Sequence, residues 1–230
     1  MKTLNDNIIN QNNESLTPND IYVQKGWYEN GLQEWERSYK EDLVHGVCKE
    51  WYPNGQLKSI ATYENGKLDG KRRCWYDNGQ LRLSGFYRKG KVQGDYDSWH
   101  RNGEHKGHEN FKEGKREGRQ YWWFDNGQLD VEANYKCDKL DGLYEQWHEN
   151  GQLFYRGNYI NGGKEGPWEE WHENGQLSER CTYKGGLPEG LREEWYDNGQ
   201  LCGRKSYKNG KLEGLYESWD EGGRLISGCT

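Results

Sequence analysis

Aliphatic side chains are scarce in this chain. Leu, Ile, Val and Phe together occupy only 34 of 230 positions, with one Met and four Pro. A two-layer globule around an aliphatic core is therefore not expected. Charge of one sign is not in excess either: 32 basic against 38 acidic residues leave a net −6. That is too little for the self-repulsion that keeps hydrophobe-poor chains unfolded. The interspersed signs also argue against the basic face that nucleic acid or anionic lipid requires. No run approaches the ~18–20 apolar residues of a membrane span, and near the N-terminus Leu4, Ile8 and Ile9 form no apolar signal region. The expectation is a cytoplasmic protein. No apolar period of 3.6 residues survives anywhere, so no helix is expected.

What the chain has instead is rings: 12 Trp and 17 Tyr, with 32 Gly. An aromatic side chain can bury roughly 150–250 Å², so a fold is possible if the rings recur in register. They do. Trp stands at 27, 51, 75, 99, 123, 147, 171, 195 and 219, every interval being 24. Counting each unit from its Trp as offset 0, offsets 3 and 4 are Asn-Gly in eight of nine units, including Asn54-Gly55, Asn78-Gly79, Asn126-Gly127 and Asn150-Gly151. Offset 6 is mostly Leu, offset 12 is Tyr or Phe, and offset 19 is Gly in all eight complete units. Asn-Gly between aromatic-rich runs predicts a hairpin with a type I′ turn, which needs positive φ at both central residues. A second turn recurs at offsets 14 and 15, as in Asn65-Gly66 and Asn209-Gly210. The predicted fold is all-β: a single-layer antiparallel meander of tandem 24-residue double-strand repeats, an elongated twisted sheet. Residues 1–21, rich in Asn, read as a disordered leader; residues 22–230 form nine units, the last truncated.

With two-residue loops at both turns, offset 1 should pair with 6, 0 with 7 and −2 with 9; across the second turn, 12 should pair with 17 and 10 with 19. The −2/9 pairing sets Lys25 against Glu36, Glu145 against Arg156, Glu169 against Arg180 and Glu193 against Arg204, opposite charges that support the register. One face then carries offsets 1, 6, 8, 10, 12, 17, 19, 21 and 23 and is the apolar side. There the Gly at offset 19 often faces a small residue at offset 10, as Gly70 faces Ala61. The other face carries the Trp row, with Lys58, Arg82 and Lys106 at offset 7 placed to stack on it.

The pattern Trp-Tyr-x-Asn-Gly-Gln-Leu, then Tyr, then Gly-Lys-x-x-Gly, resembles the variant MORN repeat of bacterial YwqK-type antitoxin or immunity proteins. The resemblance spans roughly residues 22–230. Unit 4 departs from it with His105 in place of Leu, and Asp42 and Asp138 replace the second-turn Gly. It implies a non-enzymatic protein-binding scaffold that neutralises a toxin partner. The acidic rims favour a basic partner; nucleic acid and membrane are not expected partners. The alternative is a MORN-type membrane- or lipid-associated scaffold. Neither reading involves a cofactor, a metal or a catalytic residue.

The six Cys fall at scattered offsets without a C-x-x-C and read as reduced structural thiols. His148 and His172 occupy offset 1 in adjacent units and read as substitutes for Tyr rather than zinc ligands. A row of half-exposed rings is the composition of a protein-binding hot spot. The candidate partner-binding residues are accordingly Trp75, Trp99, Trp123, Trp147 and Trp171, with Tyr87, Phe111 and Tyr135 from the offset-12 row; the Asn-Gly pairs above are structural.

Overall fold

The computed structural model describes residues 20–229; the expected leader at 1–21 lies almost wholly outside them. The described residues contain strands and turns and no helix, so none is long and apolar enough to cross a membrane. The chain divides into two compact units. The first, residues up to 104 with 111–114, holds β1 (Tyr22–Trp27), β2 (Gln33–Lys40), β3 (Leu43–Val44), β4 (Gly46–Trp51), β5 (Leu57–Glu64), β6 (Lys67–Trp75), β7 (Leu81–Arg88) and β8 (Lys91–Trp99). The second, 105–110 with the residues from 115 onward, holds most of β9 (His105–Lys112), then β10 (Lys115–Arg116), β11 (Gly118–Trp123), β12 (Leu129–Lys136), β13 (Lys139–Trp147) and β14 (Leu153–Ile160). It continues through β15 (Gly163–Trp171), β16 (Leu177–Lys184), β17 (Leu187–Pro188), β18 (Gly190–Trp195), β19 (Leu201–Lys208), β20 (Lys211–Trp219) and β21 (Leu225–Cys229). Within each unit, strands pair antiparallel with their sequence neighbours, as a meander does.

The first turn is a hairpin, but not of the predicted type. Tyr52 accepts from Gly55 N–H at 2.8 Å and donates to the Gln56 carbonyl at 2.8 Å. The loop is therefore three residues long. Gly55 is left-handed at φ 84 while Asn54 is not left-handed, which is a type I turn closed by a glycine bulge rather than type I′. Pro53 sits at the second position of that turn, where its fixed φ is favoured. The extra loop residue moves Trp51 opposite Leu57, offset 0 against 6, and a bulge at offset 7 restores the count. The two irregularities cancel. Beyond them the expected pairs stand: Lys25↔Glu36, Glu145↔Arg156, Glu169↔Arg180 and Glu193↔Arg204 are direct partners.

Type I′ belongs to the second turn. Asn65 and Gly66 lie at φ 48 and 77, Asn161 and Gly162 at 51 and 88. Where Gly is missing the turn persists: Asp42 and Asp138 adopt φ 59 and 68, as short polar side chains can. The second hairpin pairs offset 12 with 17 as expected, but Ala61 at offset 10 faces Arg72 at offset 21, not Gly70. Two extra residues around Gly70 cause the shift. Gly at offset 19 is there because its backbone is left-handed, at φ 120 in Gly70 and 114 in Gly142, a region that L side chains enter only with strain.

Gly85 and Gly157 at offset 10 have a different reason: the ring at offset 21 lies over them. A Cβ on Gly157 would fall inside the Trp168 indole, and one on Gly85 would overlap Tyr96. The buried side chains are Cys48, Ala61, Cys74, Tyr87, Gln120, Ala133, Trp168 and Cys181. All stand at offsets 10, 12, 21 or 23, on the face predicted to be apolar. Gln120, fully buried, satisfies itself with bonds to Asn110 N–H and to the carbonyls of Asn110, Glu117 and Gly118, as a buried amide must.

Candidate binding surface

Side-chain bonds lock each repeat to the next. The offset-1 hydroxyl donates to the carbonyl of the next Trp: Tyr28 to Trp51 at 2.6 Å, Tyr52 to Trp75 at 2.8 Å, Tyr196 to Trp219 at 2.9 Å. His148 and His172 make the same bond through Nε2, to Trp171 and Trp195 at 3.0 and 2.9 Å. Each Asn does two jobs. Asn150 Oδ1 accepts from Gln152 N–H at 2.9 Å, and its Nδ2 donates to the Glu173 carbonyl of the next repeat at 2.7 Å. Acidic side chains at offset 18 cap the following second turn, as Asp141 accepts from Asn161 N–H and Glu189 from Asn209 N–H. These carboxylates are turn caps rather than solvated charges.

The backbone at Trp51, Trp75, Trp99, Trp171, Trp195 and Trp219 is thus fixed, while the offset-0 indoles remain half-exposed except Trp27, which is 60% exposed. Trp123 stacks on Tyr121 at 5.9 Å and meets His105 edge-on at 5.5 Å. The cation over Trp195 is Arg180 at offset 9, 5.6 Å from the ring. Lys58 at offset 7 lies over Tyr52 instead, because the bulge moves offset 7 out of line with the Trp.

In the second unit the repeat pattern is broken by charge. Glu170 faces Glu179, and Glu179 faces Glu194: three carboxylates on consecutive strands, where like charges destabilise. Arg192 reaches Glu179 through Nη2 at 2.5 Å and Glu194 through Nε at 3.0 Å; Lys205 adds 2.9 Å to Glu194. Glu170 is in no ion pair among the described residues. Burial, reinforced by the Glu179 charge, raises its pKa. Beside it Lys164 sits 3.9 Å over the Trp168 ring and 4.9 Å over Tyr183, its pKa lowered by burial. Tyr144, stacked on Trp168 at 6.2 Å, is pushed up to about 12, chiefly by burial. Two cavities meet here. One of about 290 Å³ is walled by Tyr144, Tyr159, Trp168 and Tyr183. The other, about 360 Å³, opens between Trp171 and Trp195 and is lined by Glu170, Glu173, Glu179 and Glu194.

The MORN repeat variant family model matches residues 44–65, 68–89, 116–136, 140–161, 164–184 and 188–209, more than half of the chain. The chain belongs to the MORN repeat variant family. Each MORN match runs from the second hairpin strand of one unit to the second turn of the next. Residues 90–115 go unmatched; that segment contains the larger part of unit 4, with His105, and the division between the two compact units falls in it. No curated protein matches. Among solved structures, one titled "Crystal Structure of TcdB2-TccC3-Cdc42" aligns over 89% of this chain and 14% of that one, at 10% identity and a TM-score of 0.23. A likeness that weak says nothing of fold or function.

The MORN geometry divides the residues expected to bind a partner. Trp75, Trp99, Trp123, Trp147 and Trp171 share offset 0. Tyr87, Phe111 and Tyr135 lie on the other face: Tyr87 is 8% exposed, Phe111 packs edge-on against Tyr96, and Tyr135 against Trp122. A flat partner touching the indoles would not touch the offset-12 rings, which lie on the face that carries the buried side chains. No His, Cys, Asp and Glu grouping able to hold a metal occurs among the described residues, and all six Cys are free thiols. Burial raises the thiol pKa of Cys48 and Cys181. Sequence reading missed Glu170, Glu179, Glu194, Lys164 and Arg192. A signal existed: offset 8 is uncharged in every other unit, from Trp35 to Ser227, and offset 17 is Val, Leu or Pro in all units except at Arg116 and Lys164.

Proposed function

We propose that this chain is a non-enzymatic protein-binding scaffold of the antitoxin or immunity kind, acting in the cytoplasm, that docks a basic protein partner and neutralises it. The observation that carries the reading is the surface at Trp171 and Trp195, where half-exposed indoles flank a cavity lined by four glutamates. Rigid aromatic rings beside carboxylates are the composition of an interface that recognises basic side chains. The cross-repeat bonds support it by holding the rings in place before binding, which reduces the ordering entropy lost on association.

The test is capture of the partner from native lysate on the tagged full-length chain, followed by co-expression of the two. The partner alone should arrest growth, and the chain should relieve that arrest. Trp171→Ala, folded by circular dichroism, should lose capture. Sedimentation with anionic vesicles in place of protein capture would overturn the reading in favour of a lipid-associated scaffold.

A further inference from the structure

The cavity between Trp171 and Trp195 breaks the MORN pattern in one direction only, toward negative charge. We propose that it anchors an arginine side chain of the protein partner, the guanidinium lying over an indole and forked onto the carboxylates of Glu170 and Glu173. This rests on the protein-binding reading and specifies the partner's chemistry.

Four carboxylates and two indoles line the cavity, and no Lys or Arg does. His148 and His172, also at its wall, have Nε2 engaged by the carbonyls of Trp171 and Trp195, which fixes the position of both rings. Glu170, Glu179 and Glu194 stand directly opposite one another. Arg192 and Lys205 reach only the last two. Glu170 forms no ion pair among the described residues; Glu179 opposes its charge while Lys164, Arg192 and His172 nearby favour it, and an incoming cation adds to the latter.

The surroundings extend the same chemistry. Glu149, Glu173, Asp197 and Glu221 occupy offset 2 in successive repeats, all exposed and none in an ion pair among the described residues. At ~4.8 Å per strand, successive offset-2 carboxylates lie about 10 Å apart, close to one turn of a polyproline II chain of three residues at ~3.1 Å each. The matching partner segment is a polyproline II stretch, in which residues three apart share a face, with a basic residue at every third position. Arginine suits the anchor better than lysine, because its planar, weakly hydrated fork stacks on indole and meets a carboxylate through two bonds at once.

The experiment titrates the full-length protein with an acetylated, amidated peptide carrying Arg at every third position between Gly and Ser. Calorimetry and the indole N–H resonances of Trp171 and Trp195 report binding. Saturable, salt-sensitive binding is expected, weakened about tenfold or more when citrulline replaces Arg and in Glu170→Gln/Glu173→Gln. Glu64→Gln, an exposed carboxylate of the first unit, should change nothing. Equal affinity of the double variant, equal affinity for the citrulline peptide, or no binding at millimolar peptide overturns the assignment. The two readings fail separately: a captured partner that binds the folded double variant undiminished sinks the arginine anchor alone, whereas failure of the parent chain to capture any protein sinks the scaffold.

Discussion

Replacing Asn150 by Ala removes two hydrogen bonds, the 2.9 Å bond from Gln152 N–H within the turn and the 2.7 Å bond to the Glu173 carbonyl that joins one repeat to the next. Both are exposed, so each should contribute toward the lower part of the usual ~0.5–1.5 kcal/mol, giving a loss of about 1–2 kcal/mol. The backbone adds no strain, because Asn150 is not left-handed and Ala adopts its conformation freely. Asn150→Asp keeps the acceptor but turns the donor into a carboxylate aimed at a carbonyl, between the acidic Glu149 and Glu173. It should cost at least as much at pH 7 and recover below about pH 4, where the new acid is protonated. Urea unfolding followed by Trp fluorescence gives the magnitude, and amide exchange shows whether the loss is confined to the repeats around Asn150, as nearest-neighbour coupling requires. A neutral Asn150→Asp at pH 7 would refute the argument, since the local turn bond alone would then explain the Asn.

Other outcomes follow from the same geometry. Gly166→Ala forces a left-handed Ala at φ 73 with open space around it and should cost about 1–2 kcal/mol; Gly142→Ala should cost more, because its Cβ would also meet Asn134 Cβ at 3.1 Å, and urea midpoints rank the two. Trp168→Ala empties the one nearly buried indole, 5% exposed, and should cost about 3–5 kcal/mol; a loss below about 1 kcal/mol would show that the offset-21 ring is not core. Glu170→Gln should raise the melting temperature at pH 7. The raised pKa of Glu170 means that its contribution is fully present below the ordinary glutamate value of 4.5 and is lost as pH rises through the folded-state value. The variant's advantage should accordingly vanish as pH falls through that range, and an advantage unchanged at pH 4 would contradict the repulsion between Glu170 and Glu179.

A 24-residue period, two turns per unit, the absence of helix and the division into a core face and an indole face were legible in the amino-acid order alone. Each depends on local chemistry: turn residues at fixed spacing, and alternation along a strand that sends every second side chain the same way. The cross-strand pairs Lys25–Glu36 and Glu145–Arg156, 3.2 and 2.6 Å apart, were legible too, but only because the longer first loop and the bulge at offset 7 offset each other. Tertiary structure decided the rest. Asn54 proved to be selected by a bond to Asp77 in the next repeat at 2.8 Å, a partner 23 residues away that no local propensity encodes. Gly85 and Gly157 at offset 10 lack a side chain because rings from neighbouring strands cover them, and the glycines at offset 19 serve a bulge whose place depends on pairing. Glu170, Glu179 and Glu194 are separated by 9 and 15 residues in the chain, and only the hydrogen-bonded register of three strands brings their charges into one row.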